Sequence, residues 1–192
     1  MKKQKISNWG RFPSVEAEIY DLTDEVRARQ KIKILNPVIA RGPGRSYGDS
    51  SLGENIISTV GYNRFISFDE AAGVLKCEAG VSFADILEVF VPKGWFLPVT
   101  PGTKYITVGG AIASDVHGKN HHKEGSFGDW VREMKILVAS GEVLLCSPSQ
   151  NEDLFFATIG GMGLTGLILE AEFALKKIET SFISQETLPA EN

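Results

Sequence analysis

Hydrophobic and polar positions along the chain alternate between strand and helix periods. Val15, Ala17 and Ile19 interleave with Glu16, Glu18 and Tyr20, the two-residue period of a strand with one face buried. A short helix is predicted from about Thr23 to Gln30, and Val38-Ile39-Ala40 is a brief apolar run of strand type. Ile56 to Val60 and Phe65 to Phe68 read as strands and Gly73 to Gly80 as a third, with a hairpin turning through Asp69 to Gly73. Ser82 and Asp85 have the spacing of a capping box, and Phe83, Ile86, Leu87 and Phe90 follow at helical spacing, so a helix runs to about Val91. Val131 to Leu145 predicts two strands joined at Ser140-Gly141. Ser149, with Glu152 three residues on, marks another helix start, and Leu169, Ala171, Phe173 and Leu175 alternate with glutamates in a last strand. Trp9, Trp95 and Phe96 read as anchors for apolar surface.

Composition narrows what such a chain can do. With 43% of its 192 residues hydrophobic, it is large enough for one well-buried domain or two small packed lobes. The net charge of -4 and the absence of a dense basic run beyond Lys2-Lys3-Gln4-Lys5 argue against a nucleic-acid partner. No apolar run approaches the roughly 20 residues of a membrane helix, and no apolar core follows the N-terminal lysines, so a cytoplasmic protein without a transmembrane segment is expected. Cys77 and Cys146 lie in strand-like runs and read as buried, reduced thiols.

Three loops carry candidate chemistry. The first is Ala40-Arg41-Gly42-Pro43-Gly44-Arg45-Ser46-Tyr47-Gly48-Asp49-Ser50, whose glycines, arginines and serines are the parts of a pyrophosphate cradle. It is neither a Rossmann turn, since the third glycine is one place late, nor a Walker loop, since Gly-Lys-Ser/Thr is absent. The second runs from Thr100 to His122. Its Val108-Gly109-Gly110-Ala111-Ile112-Ala113-Ser114 core lets a flat ligand approach the backbone, and the amides of Gly109 and Gly110 are expected to meet ligand oxygens. All three histidines of the chain, His117, His121 and His122, follow with Lys119. Spacing leaves a metal pair and a hydrogen-bonding polar loop both open; no carboxylate or thiol lies between the histidines, and no metal is expected. In the third loop Gly161, Gly163 and Gly166 satisfy G-x-G-x-x-G, but the motif leads into a strand rather than a helix, which suits a backbone passing close to a ligand and not a dinucleotide turn.

ARGPGRSYGDS, PGTKYITVGGAIASDVHGKNHHKEGSFGDWV and ATIGGMGLTGLI, in that order, closely resemble the FAD-binding domain of the vanillyl-alcohol-oxidase-type (PCMH-type) flavoproteins, and within that superfamily the decaprenylphosphoryl-ribose oxidases. The likeness runs from about Trp9 to Phe173. It implies an α+β domain of two lobes, about 9–98 and 99–178, one with a small parallel sheet and the other with an antiparallel sheet, holding FAD between them. The family pattern implies that Ala40 to Ser50 wrap the pyrophosphate and that Gly102, Thr107, Val108, Gly109, Gly110, Ser114, Asp115, Val116 and His117 line the ribityl chain and flavin, with Ile168 touching the cofactor from the last strand. His117 and Lys119 would face the substrate side of the ring, polarising a substrate hydroxyl as hydride leaves for flavin.

Two departures from the family matter. Many members attach the flavin through a histidine where this chain has Arg45, and the second attachment device, a cysteine near Ser114, is missing, so non-covalent FAD is expected. Family members are about twice as long, which implies that a substrate domain and a C-terminal segment lie outside this sequence. The implied activity is oxidation of a secondary hydroxyl on a sugar, with a lipid-linked ribose of cell-wall or polysaccharide biosynthesis and a reductase partner among the family's implications. The alternatives are an aldonolactone or sugar-alcohol oxidase and a flavin-binding electron-transfer module without substrate chemistry.

Overall fold

The computed structural model describes residues 3–35 and 37–189. Its strands are β1 (Gln4–Ser7), β2 (Ser14–Asp21), β3 (Ile39–Arg41), β4 (Asn55–Ser58), β5 (Phe65–Asp69), β6 (Val74–Glu78), β7 (Trp95–Phe96), β8 (Val131–Leu137), β9 (Val143–Cys146), β10 (Leu167–Ala174) and β11 (Lys176–Lys177). Its helices are α1 (Glu25–Ile34), α2 (Phe83–Phe90), α3 (Val108–Ala113), α4 (His121–Glu124) and α5 (Glu152–Thr158).

The strands form the two expected sheets. The first has the order β1-β2-β4-β3, with β2, β4 and β3 parallel and β1 antiparallel at the edge. Because β3 and β4 lie side by side and point the same way, the chain leaving β3 must travel back along the sheet before β4 can begin. No helix makes that return; the glycine-rich loop does. The second sheet is antiparallel throughout, in the order β5-β6-β10-β8-β9. A small pair, β7 with β11, flanks it.

Local sequence accounts for most boundaries. Ser82 and Asp85 make the reciprocal capping box, and α2 then buries Phe83, Ile86 and Phe90. Helix α1 starts two residues later than Thr23, because the Asp24 carboxylate accepts from the Arg27 amide and fixes the cap there. It then continues past Gln30 to Ile34, whose neighbour Ile32 is buried between the sheets. The capping box expected at Ser149 and Glu152 does not form. Asn151 caps α5 in a left-handed conformation, and its side chain instead donates to the Leu145 carbonyl, tying the helix to the end of β9.

Two cores hold the sheets. In the larger, Phe127 lies between Phe83 and Phe173, with ring centroids 5.1 and 5.2 Å away, so α2, the turn before β8 and β10 share one aromatic column. Cys77 and Cys146 are buried in it as free thiols. In the smaller, Leu22, Ala28, Ile32 and Ile57 from the first sheet and α1 meet Tyr62, Leu137, Leu167 and Leu169, joining one sheet to the other. The Lys135 ammonium adds a polar clasp there, 3.4 Å from Glu25 on α1 and 3.1 Å from Glu170 on β10.

The sheets divide the chain near residue 60, not between 98 and 99. β5, β6 and α2 belong with the antiparallel half, because the hairpin pairs with β10, a partner about a hundred residues downstream that local patterning does not reveal. Among the described residues no helix is long and apolar enough to cross a membrane.

Candidate functional site

Between the two sheets lies a cleft of about 550 Å³, within the roughly 300–1,000 Å³ of ligand sites. One wall is the loop after β3, the floor is α3 with the turn before it, and the third side is the glycine-rich turn that feeds β10. The three loops singled out from sequence therefore meet at one place. Of the predicted residues, Ala40 to Tyr47, Ser50, Gly102, Thr107, Gly109, Gly110, Ser114, Val116 and Ile168 line the cleft.

The others stand outside its walls. Gly48 and Asp49 sit at the exposed tip of the first loop, and Val108 is fully buried, its amide donating to the Val81 carbonyl. The Asp115 carboxylate accepts from the Gly128 amide at 2.9 Å and so braces the following turn. His117 pairs with Ser126 through an isolated antiparallel bridge, and side chains alternate across such extended backbone, so its ring lies opposite the cleft-lining Val116. Lys119 is exposed and also lies outside the walls. The three histidine rings are neighbours, with centroids 5.4 Å apart for His117 and His121 and 6.0 Å for His121 and His122. One His121 nitrogen is 3.0 Å from the Gly118 carbonyl, and among the described residues no group of three His, Cys, Asp or Glu could hold a metal.

The floor corrects one expectation in its chemistry. Gly109 donates to the Ala79 carbonyl at 2.8 Å, and Gly110 donates to the Thr107 hydroxyl that caps α3. The amides expected to meet a ligand are thus already taken. What these residues supply is flatness: a side chain at 109 would press on Ala79, while Gly110 faces the cleft with only the Thr107 hydroxyl near its missing Cβ, at 3.3 Å.

The donors are in the first loop instead. Among the described residues, none of the backbone amides from Gly42 to Ser51 donates to an acceptor of the chain. Successive free amides beside a cleft make an anion-binding concavity. Two arginines frame it in different ways. Arg41 is half-buried and points beneath the loop, donating to Asn8, Ser7 and Ser51, and burial lowers its pKa from the ordinary value. Arg45 is exposed, its guanidinium 5.1 Å from the Trp9 ring centre and 5.9 Å from that of Tyr105.

Several lining residues carried no sequence signal of their own. Thr59 and Ala79 reach the cleft from strand ends, Ser51 extends the first loop by one residue, and Pro101, Thr103, Ile106, Ala113, Met162 and Leu167 lie within the other two stretches. Gly163 and Gly166 line it with φ of 77° and 154°, backbone that suits glycine in a turn passing the ligand, whereas Trp9 serves as a wall and is 59% exposed.

A cleft of this size, with a donor-rich glycine loop at one end and a floor of small residues, defines a nucleotide-cofactor-binding domain. A family model described as FAD binding domain matches residues 17–147, and the chain belongs to that family. It is 42% identical to decaprenylphosphoryl-beta-D-ribose oxidase of Mycolicibacterium smegmatis over 187 residues, which cover 93% of this chain and 41% of the relative. It is 30% identical to a putative D-arabinono-1,4-lactone oxidase of Neurospora crassa, over 85% of this chain and 30% of that protein. The solved structure of the BBE-like 1 wild-type protein of Physcomitrella patens superposes with a TM-score of 0.74 at 22% identity, over 83% of this chain and 36% of that one, a likeness in fold. The chain thus spans about two fifths or less of these relatives' lengths.

The cleft fits FAD on its own geometry. A diphosphate requires hydrogen-bond donors, which the Gly42–Ser51 amides leave free, and a flat ring requires a surface without side chains, which Gly109 and Gly110 provide.

Proposed function

We propose that this chain forms the cofactor-holding part of a flavin oxidoreductase that oxidises a secondary hydroxyl of a sugar, with a lipid-linked ribose as the favoured substrate class. The observation that carries the reading is the convergence of the free-amide loop and the glycine floor on one cleft, joined to 42% identity with a ribose oxidase over nearly the whole chain. When bound, FAD supplies a two-electron acceptor for hydride. The chain's own part would be to bind and orient it: the Gly42–Ser51 amides and Arg45 would hold the diphosphate, the glycines of α3 would carry the ring, and Ile168 and Gly166 would close the opposite side. Ile106, Ala113 and Val116, which also line the cleft, would keep water from the ring. His117 and Lys119 stand outside the cleft walls, and it is the family resemblance that supports them as the groups that would handle the proton of a substrate hydroxyl.

The flavin is held without a covalent bond, since Arg45 cannot form one and Ser114 stands where a thiol would be needed. Acid precipitation of the FAD-loaded protein tests this: yellow colour in the supernatant is expected, and colour in the pellet overturns it. For the activity, anaerobic bleaching of flavin in the full-length enzyme is measured with a polyprenylphosphoryl ribose and with an aldonolactone. Faster bleaching by the first supports the reading; faster bleaching by the second replaces it with the lactone-oxidase assignment.

A further inference from the structure

The first loop is two-sided. Its amides are free, while the carbonyls of Ser46, Gly48, Ser50 and Ser51 are tied down. The Ser46 carbonyl accepts from the Trp9 amide at 3.1 Å, the Gly48 and Ser50 carbonyls accept from the Asn8 side chain at 3.0 and 2.6 Å, and the Ser51 carbonyl accepts from Arg41 at 3.3 Å. Every one of these donors belongs to Asn8, Trp9 or Arg41. A peptide whose carbonyl is drawn to one side turns its N–H towards the other, so anchoring the acceptors beneath the loop presents the donors above it.

We infer that Asn8 is a positioning residue for the cofactor: it latches the carbonyls of the loop so that the amides form a diphosphate cradle before any ligand arrives. This rests on the reading of the cleft as an FAD site. Asn8 lies outside the matched span of residues 17–147 and is 4% exposed. Its amide orientation follows from its partners. The Arg41 guanidinium can only donate, so it faces the Asn8 oxygen, and the Gly48 and Ser50 carbonyls can only accept, so they face the nitrogen. The side chain makes three hydrogen bonds, and all are spent on the loop or on the arginine beneath it. The strand β1 that delivers Asn8 is the antiparallel edge of its sheet, held to β2 alone, so this N-terminal segment is tied to the site through Asn8 and its neighbours Ser7 and Trp9.

The test compares wild type with Asn8→Ala and Asn8→Asp. The aspartate keeps an acceptor for Arg41 but loses both donations and sets a carboxylate against two carbonyls. Binding is followed by quenching of tryptophan fluorescence with two probes, FAD, which carries the diphosphate, and riboflavin, which lacks it. Loss of hydrogen bonds to buried groups predicts a Kd for FAD raised about tenfold or more in both variants, with the Kd for riboflavin unchanged. Hydrogen exchange of the cofactor-free protein should quicken at the Trp9 amide, whose bond to the Ser46 carbonyl needs the loop held in place, and nowhere in the antiparallel sheet. Variants that bind FAD as wild type does, or that lose FAD and riboflavin in equal proportion, overturn the latch. A wild-type protein that binds neither probe instead overturns the cofactor reading on which it stands. If Asn8→Ala does not fold, the aspartate variant, which preserves the contact with Arg41, carries the same expectations.

Discussion

Replacing Gly110 by alanine separates folding from cofactor binding, because the two respond in opposite directions. Gly110 is the third residue of α3 and is exposed to the cleft. An alanine there removes the backbone entropy cost of glycine, worth about 0.5–1 kcal/mol in a helix. Against this stands one close neighbour, the Thr107 hydroxyl at 3.3 Å from the added methyl, which must give by a few tenths of an ångström. The net change should leave the cofactor-free protein as stable as wild type or slightly more so, a rise of up to about 3 °C in Tm for a chain of this size. The same methyl rises from the surface on which the flat ring is placed. Overfilling a packed contact costs about 1–3 kcal/mol, so the Kd for FAD should rise between about five- and 150-fold. Thermal melts without ligand and fluorescence titration with FAD read the two effects separately. An unchanged Kd would show that no ring lies on α3. The adjacent Gly109 is a poorer probe: an added Cβ there lies 3.0 Å from the Ala79 Cβ and 3.2 Å from its carbonyl oxygen, so a bulky residue damages the fold and the cleft together.

Other expectations follow from the same coordinates. Thr107→Ala removes the hydroxyl that caps α3 and should cost about 1 kcal/mol, read as a lower urea midpoint with unchanged slope. Gly102→Leu should leave the cofactor-free melt intact, because no protein atom lies within 4 Å of the added carbon, yet weaken FAD binding; equal affinity would remove Gly102 from the site. The Asp24 carboxylate is held below its ordinary value of 3.8, chiefly by the Arg27 amide, so its stabilisation of α1 is present above that value and lost as pH falls below it. Helical circular dichroism should therefore fall on acidification below about pH 4, and less so in Asp24→Ala. Burial pushes the Cys77 thiol well above 9.0, and Cys146 upward too, so neither should react with a disulfide reagent at pH 8 in the native protein; both should on unfolding.

Much of this was legible in the sequence, for identifiable reasons. Hairpins and the capping box at Ser82 depend on residues a few places apart, and there pattern and structure agree. The convergence of three glycine-rich stretches was legible too, since side-chain-poor backbone marks close approach wherever it occurs. What could not be read was anything set by distant partners. The pairing of β6 with β10 moved the boundary between the lobes, and Asn8 shows its role only once β1 has placed it under a loop some forty residues away. The amides of Gly109 and Gly110 failed as ligand donors for the same reason, their acceptors being the Ala79 carbonyl and the cap that folding creates.

The smaller core has a bearing on how a cofactor comes and goes. Leu167 lines the cleft and also packs with Leu137, Leu22 and Ile57, so the bottom of the crevice is itself the seam between the sheets. Swinging the halves apart like a jaw would tear that seam and drag aliphatic side chains into water. The mouth is different: Trp9 and Tyr47 line the cleft yet stand largely in solvent, so they can shift without disturbing that seam.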